Sequence, residues 1–199
     1  RGGIATQSAR ERLLGTHIAH AGILILLVGH VLTTTLVDRT DPSHFVTLER
    51  DVPIQHQGME LLFTGVEVLS ADEQGYGYRI GDGYVGVVIE ARDDGGSLLG
   101  TITPGMLRFD SPSGMVSARS EVDRLTGVTG DTIVILDLLQ SNELLSSMIL
   151  GQTDDVSEVR VTVHRLQGSH LVWAGWLMVI IGSALASLPR RVNEPSEDE

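Results

Sequence analysis

Apolar and polar residues are distributed unevenly along this chain. From Leu13 to Val37 there is no Asp, Glu, Lys or Arg, and Leu, Ile, Val, Ala and Gly dominate. That run exceeds the roughly 20 residues a helix needs to cross a hydrocarbon core of about 30 Å. A second uncharged run covers Gly168 to Pro189, with Trp173 and Trp176 near its start, where an aromatic belt lies at a membrane interface. The pattern predicts two membrane-spanning helices, over 13–37 and 169–188. A secretory leader is the competing reading of the first run. Its apolar region would be shorter, roughly 7–15 residues, and no small-residue cleavage site follows before the acidic segment.

Between the two runs alternation replaces helical periodicity, and Gly and Pro punctuate the chain as in small antiparallel folds. Val159, Val161 and Val163 alternate with Arg160, Thr162 and His164, which predicts a half-buried strand over 159–166. Gly81-Asp82-Gly83 predicts a hairpin joining Tyr76–Ile80 to Tyr84–Ala91. Further strands are expected at Phe45–Leu48, Glu60–Leu69 and Gly114–Arg119. Ile133–Leu139 reads equally as strand or helix. Ser141–Leu150 sets Leu144, Leu145, Met148 and Ile149 at helical spacing. The expected fold class is a membrane protein with two transmembrane α-helices flanking an exported antiparallel β barrel or sandwich of roughly six to eight strands.

Charge supplies the orientation. Arg10 and Arg12 precede the first run and Arg190 and Arg191 follow the second. Basic residues at helix ends stay inside, so the predicted order is a cytoplasmic segment 1–12, an exported domain 38–168 and an acidic cytoplasmic tail 189–199, placing the protein in the inner (plasma) membrane. From Asp38 to Ser169 there are 21 acidic residues against 9 arginines, a net charge of −12 that excludes binding to a nucleic acid backbone. Cysteine is absent, so no disulfide staples this domain and any thiol chemistry falls to partners. The sequence opens on Arg1, which we take as the end of a longer chain or the C-terminal half of a split protein.

The middle segment carries no catalytic constellation: no Gly-x-Ser-x-Gly elbow, no His-Glu-x-x-His and no phosphate loop. Asp93-Asp94 and Asp154-Asp155 read as solvated turn residues. The histidines of the first run are different, because an imidazole in hydrocarbon costs free energy unless it is partnered or ligates something. His17 and His20 lie about 60° apart on a helix, His20 and His30 about 80° apart, and His17 and His30 are nearly opposed. His17, about one turn inside, can reach the headgroup region. His20 is deeper and is followed by Ala21 and Gly22, small residues that let a flat macrocycle or a second helix come close. His44 and His56, near the outer surface, are secondary candidates.

The run Ala19-His20-Ala21-Gly22-Ile23-Leu24-Ile25 resembles the Ala-His-x-Gly-hydrophobic signature in the C-terminal region of the CcmF family of cytochrome c-type biogenesis haem lyases. The resemblance continues through Pro104 to Phe109 (Pro-x-x-x-Arg-aromatic), Ser113-Gly114-Met115, Gly130-Asp131, Trp173-Ala174-Gly175-Trp176-Leu177-Met178 and the Leu188-Pro189-Arg190 exit. Leu171 departs from it where the family has the first of two tryptophans, and Thr132-Ile133 follows Asp131 where an aromatic is common. The resemblance implies that His20 is an axial ligand to the iron of a haem b; His17 and His30 are kept as further cofactor-binding candidates from the residues alone. It also implies a role in haem transport and attachment, with the N-terminal half of the haem lyase, the haem chaperone CcmE, apocytochrome c and its thiol-handling partner as partners. His20 and His170 are expected to be some 20 Å apart in depth, so they cannot share one iron, and the second ligand is expected from another chain or a preceding part of the protein. With only two tryptophans the chain lacks the family's Trp-rich segment and is not a complete haem lyase. The alternative is a haem-independent membrane scaffold whose β domain binds a partner; a third reading moves the haem to His30.

Overall fold

The computed structural model describes residues 3–35, 38, 40–70, 81–128 and 130–187. In chain order the elements begin with helix α1 (Gly3–His30) and strands β1 (Phe45–Glu49), β2 (Ile54–His56), β3 (Met59–Ser70), β4 (Gly83–Arg92), β5 (Leu98–Ile102) and β6 (Gly105–Asp110). They continue through β7 (Val116–Glu121), β8 (Asp123–Thr126), β9 (Gly130–Leu136), helix α2 (Leu138–Leu150), β10 (Glu158–Gln167) and helix α3 (Ser169–Ala186). Two compact units result, one holding residues 1–37 and 167–199 and the other residues 38–166.

In the first unit α1 and α3 run antiparallel, and glycine decides how close they come. Gly15, Gly22 and Gly29 on α1 and Gly168, Gly175 and Gly182 at or in α3 form two rows, each with a seven-residue spacing. A Cβ at Gly22 would lie 2.8 Å from the Gly175 carbonyl oxygen, one at Gly175 would lie 2.5 Å from the Leu26 nitrogen, and one at Gly29 would lie 2.6 Å from the Val172 nitrogen. No side chain fits there, so backbone packs on backbone. A period of seven keeps such a seam facing its partner over successive turns, and small residues at the crossing let dispersion contacts accumulate. Away from the seam Ile23, Leu24, Leu27 and Val28, and on α3 Trp173, Trp176, Leu177 and Ile180, are exposed. Both helices are long and apolar enough to cross a membrane, over Arg12–Thr35 and Ser169–Ala186. Beyond His30 the first continues as a π-helical turn, Val31–Thr35, in which the Thr33 hydroxyl donates to the Gly29 carbonyl (2.9 Å) and the Thr34 hydroxyl to that of His30 (2.6 Å).

The second unit is a half-barrel of two sheets, ordered β1-β10-β9-β8 and β2-β3-β4-β6-β7, with β5 on β4. The pairs β1–β10, β2–β3, β3–β4, β4–β5, β4–β6, β6–β7 and β8–β9 are antiparallel. The core gathers Leu48, Leu61, Phe63, Val85, Val87, Ile89, Ile102, Val134, Val159 and Val161, all buried. Tyr84 is buried with its hydroxyl donating to the Thr103 carbonyl; its ring occupies the space a Cβ would need at Gly86. Asp137 caps α2, accepting from the Leu139 nitrogen (2.9 Å) while its other carboxylate oxygen meets the Arg160 guanidinium (2.9 Å). Gly151 ends that helix in the left-handed conformation (φ 69°), and Leu144 reaches the core.

The ambiguous segment 133–139 divides at Asp137: strand to Leu136, helix from Leu138. The expected strand at 114–119 begins only at Val116, because Gly114 (φ 79°) belongs to the preceding turn. Ten strands are present among the described residues rather than six to eight, since β2, β5, β6 and β8 are too short or too irregular to show alternation. Of the expected hairpin, Tyr76–Ile80 lies outside the described residues, while Tyr84–Ala91 falls in β4, which pairs with β3. His164 was expected opposite the valine face of its strand, yet it is buried as Val163 is.

Substituting Gly22→Leu forces the helix backbones apart and should destabilise the helix pair by about 1–3 kcal/mol, the cost of overpacking a closed contact. Denaturation in detergent, followed through Trp173 and Trp176, reads this directly, since both tryptophans of the chain lie on α3. An unshifted midpoint would contradict a glycine-dependent seam.

Candidate functional site

The seam determines where the histidines of α1 point. At about 100° per residue His20 stands about 160° round the helix from Gly22, His17 about 140° from it, and His30 about 100° from Gly29. His17 and His20 therefore occupy the face turned away from α3, with His30 on its flank, and all three side chains are exposed. His17 Nδ1 lies 2.6 Å from the Leu13 carbonyl and His20 Nδ1 lies 2.8 Å from the Thr16 carbonyl. A carbonyl can only accept, so each Nδ1 carries a proton and donates it. In the neutral form of such a ring Nε2 is the unprotonated nitrogen, the tautomer a metal ligand needs. Gly22, thought able to admit either a macrocycle or a helix, admits α3. The open space beside His20 is on the other side.

The seam contacts also fix depth. Gly29 meets Leu171 and Val172, which puts His170 level with His30, ten residues or about 15 Å along the axis from His20, rather than 20 Å. The two still cannot share an iron.

The second unit gathers three further histidines. Strand register sets Phe45 opposite Thr162, so His44, one residue earlier, falls beside Val163, just past the centre of β10. Its ring lies 4.6 Å from that of His164, tilted by 59°. Gln57 Nε2 is 2.9 Å from His44 Nδ1, 3.2 Å from the Val163 carbonyl and 3.4 Å from that of Ser43. The Arg165 guanidinium donates to the Gln57 carbonyl (3.0 Å). Burial pushes the His56 imidazole below its ordinary value, and the charge of His44 adds to this against a hydrogen bond to the His44 backbone. His44 and His56, secondary candidates by sequence, are thus brought together, with Gln57 and His164 as members that alternation alone could not reveal. No group of three metal-ligating side chains converges among the described residues.

The other residues of the resemblance do structural work. Arg108 pairs with Asp110 (2.7 Å), and its carbonyl accepts from the Asp82 nitrogen (2.7 Å). Gly130-Asp131 opens β9. Outside the resemblance, Asp93 of the paired acids closes a turn by accepting from the Gly95 and Ser97 nitrogens (2.9 and 2.8 Å).

No family model and no curated protein matches this chain. Among solved structures it is similar to one described as cytochrome c haem lyase CcmF, with a TM-score of 0.56 and 14% sequence identity over 95% of this chain. The chain spans about a quarter (26%) of that protein's length. The likeness is one of fold: two apolar helices with an antiparallel half-barrel between them in sequence.

Nitrogen-15 NMR of the histidine-labelled chain in detergent should show His17 and His20 with protonated, pyrrole-type Nδ1 and unprotonated, pyridine-type Nε2. The reverse tautomer at His20 would remove the ligand-ready geometry.

Proposed function

We propose that this chain is a subunit, or the C-terminal part, of a haem lyase assembly in cytochrome c maturation, and that His20 supplies one axial ligand to a haem b within the membrane. The observation that carries the reading is the hydrogen bond from His20 Nδ1 to the Thr16 carbonyl, on the face of α1 opposite the glycine seam, which in the neutral ring leaves Nε2 free to ligate. The fold-level likeness to CcmF supports it. In this reading 13–37 and 169–188 span the bilayer with both termini cytoplasmic, and 38–168 is exported.

The imidazole fits an iron ligand in type and tautomer. Donation from Nδ1 to the Thr16 carbonyl fixes the ring's orientation and raises the basicity of Nε2. The haem, when bound, supplies a one-electron centre; everything else asked of this chain is positioning. The seam with α3 holds α1 so that His20 faces outward to a second helix, which brings the other ligand from another chain or from a preceding part of the protein. His17, back-bonded in the same way and about one turn nearer the N-terminus, and His30 on the flank are the neighbouring contacts. The exported part, with its net charge of −12, is the docking surface for CcmE, apocytochrome c and its thiol-handling partner, and favours cationic faces on them.

The deciding experiment purifies the chain with its genomic neighbour and records the reduced pyridine haemochrome spectrum. His20→Ala should abolish most of the bound haem, while His17→Ala and His30→Ala retain the larger part. Loss only with His30→Ala moves the site to that residue. No haem in any preparation replaces the reading with a haem-independent scaffold.

A further inference from the structure

We infer that Gln57 and the histidines around it form an acid-sensitive latch in the 38–166 unit. Gln57 sits in the left-handed region (φ 50°), where a residue with a side chain is held only by its contacts. Its amide nitrogen lies within reach of two backbone carbonyls, Ser43 and Val163. Turning the amide over would aim its oxygen at two acceptors, so the nitrogen end belongs where it is. That nitrogen also meets His44 Nδ1 at 2.9 Å, so a proton on Nδ1 would point at a nitrogen that can only donate. The closed contact and a proton on Nδ1 therefore exclude each other. A second proton would have to enter on Nδ1, against the Gln57 amide.

The surroundings bear on that proton with both signs. Asp38 and Asp41, preceding the short turn that carries His44, favour the cation; both carboxyls are themselves held below the usual range, chiefly by hydrogen bonds to Thr40 and Ser43. His56 on β2, His164 on β10 and the Arg165 guanidinium oppose it. The aspartates lie outside the latch in solvent, whereas the His164 ring is buried against His44 and the Nε2 of His56 is buried with no hydrogen bond. A charge on one imidazole raises the cost of a charge on the next.

Gln57 joins three stretches at once: the turn 42–44, the turn between β2 and β3, and the second half of β10. Its release unties residues 42–44 and 56–58 while leaving the core strands paired. The sign follows from the geometry. A contact that excludes a proton from an imidazole nitrogen favours closure fully above the ordinary imidazole range, about pH 6.5, and loses that preference as the pH falls below it. His56, lowered by burial, acts in the same direction.

Hydrogen–deuterium exchange of the full chain in detergent micelles, corrected for intrinsic rates, tests this between about pH 7.5 and 5.5. One such imidazole should raise the opening of peptides 42–46 and 54–60 about tenfold over that interval, with β4 unchanged as internal control. The double variant His44→Gln, His56→Gln should be flat with pH. Gln57→Ala offers a check that does not depend on the histidine substitutions: the same peptides should then open equally at both pH values. A flat native profile, an equal change in β4, or a native-like profile in either variant would overturn the latch.

Discussion

The contact on which the first unit depends is backbone against backbone where α1 and α3 meet. Six glycines in two heptad rows keep their own positions free of a Cβ, and the helices approach until the Gly175 carbonyl stands where a Cβ on Gly22 would need room. This closeness has a directional consequence. Once one stripe of α1 is committed to α3, the residues about 140–160° away are committed to facing elsewhere. His17 and His20 are those residues. Histidines placed on the seam would have separated the helices and been buried between them. Placed opposite, they leave both the packing and a presented imidazole intact.

A different constraint organises the second unit. The first and last strands of its chain, β1 and β10, pair antiparallel, so the residues just before β1 lie beside the residues just after the centre of β10. That register brings polar side chains together: His44 from one end, Val163 and His164 from the other, and Gln57 from the turn between β2 and β3. The Ser43 and Val163 carbonyls there both face one amide, held in an uncommon backbone conformation, that can donate to them. The apolar core under Phe63, Ile89 and Val161 does not depend on this knot, which is why its opening can be local.

Much of this was legible in the sequence, for identifiable reasons. The apolar runs fall where α1 and α3 lie, because length and absence of charge are properties of a segment alone. The alternation of Val159, Val161 and Val163 marked β10, and the apolar spacing at 144–149 marked α2. Strands of three to five residues, such as β2, β5 and β8, carry too few positions for a period of two to stand out. The glycine rows were present as a period of seven but were hidden within runs judged only by hydropathy. Gln57 and His164 gave no signal, because their importance arises from pairing across more than a hundred residues. Gly22 was legible only as a small residue; which neighbour it served needed the helix pair.

The geometry of α1 also bears on how complete a haem site this chain can make. An axial pair needs two imidazoles facing each other across one iron. His17 and His20 share a face and point the same way, so neither can complete the other's coordination. His30 is ten residues along from His20, and His170 lies at the level of His30 on the helix that His20 faces away from. Within the described residues no second histidine meets His20 from the opposite side. If His20 ligates iron, the face of α1 opposite the seam is therefore an interface by construction, and the proposed assembly follows from the same glycine contacts that hold the helix pair together.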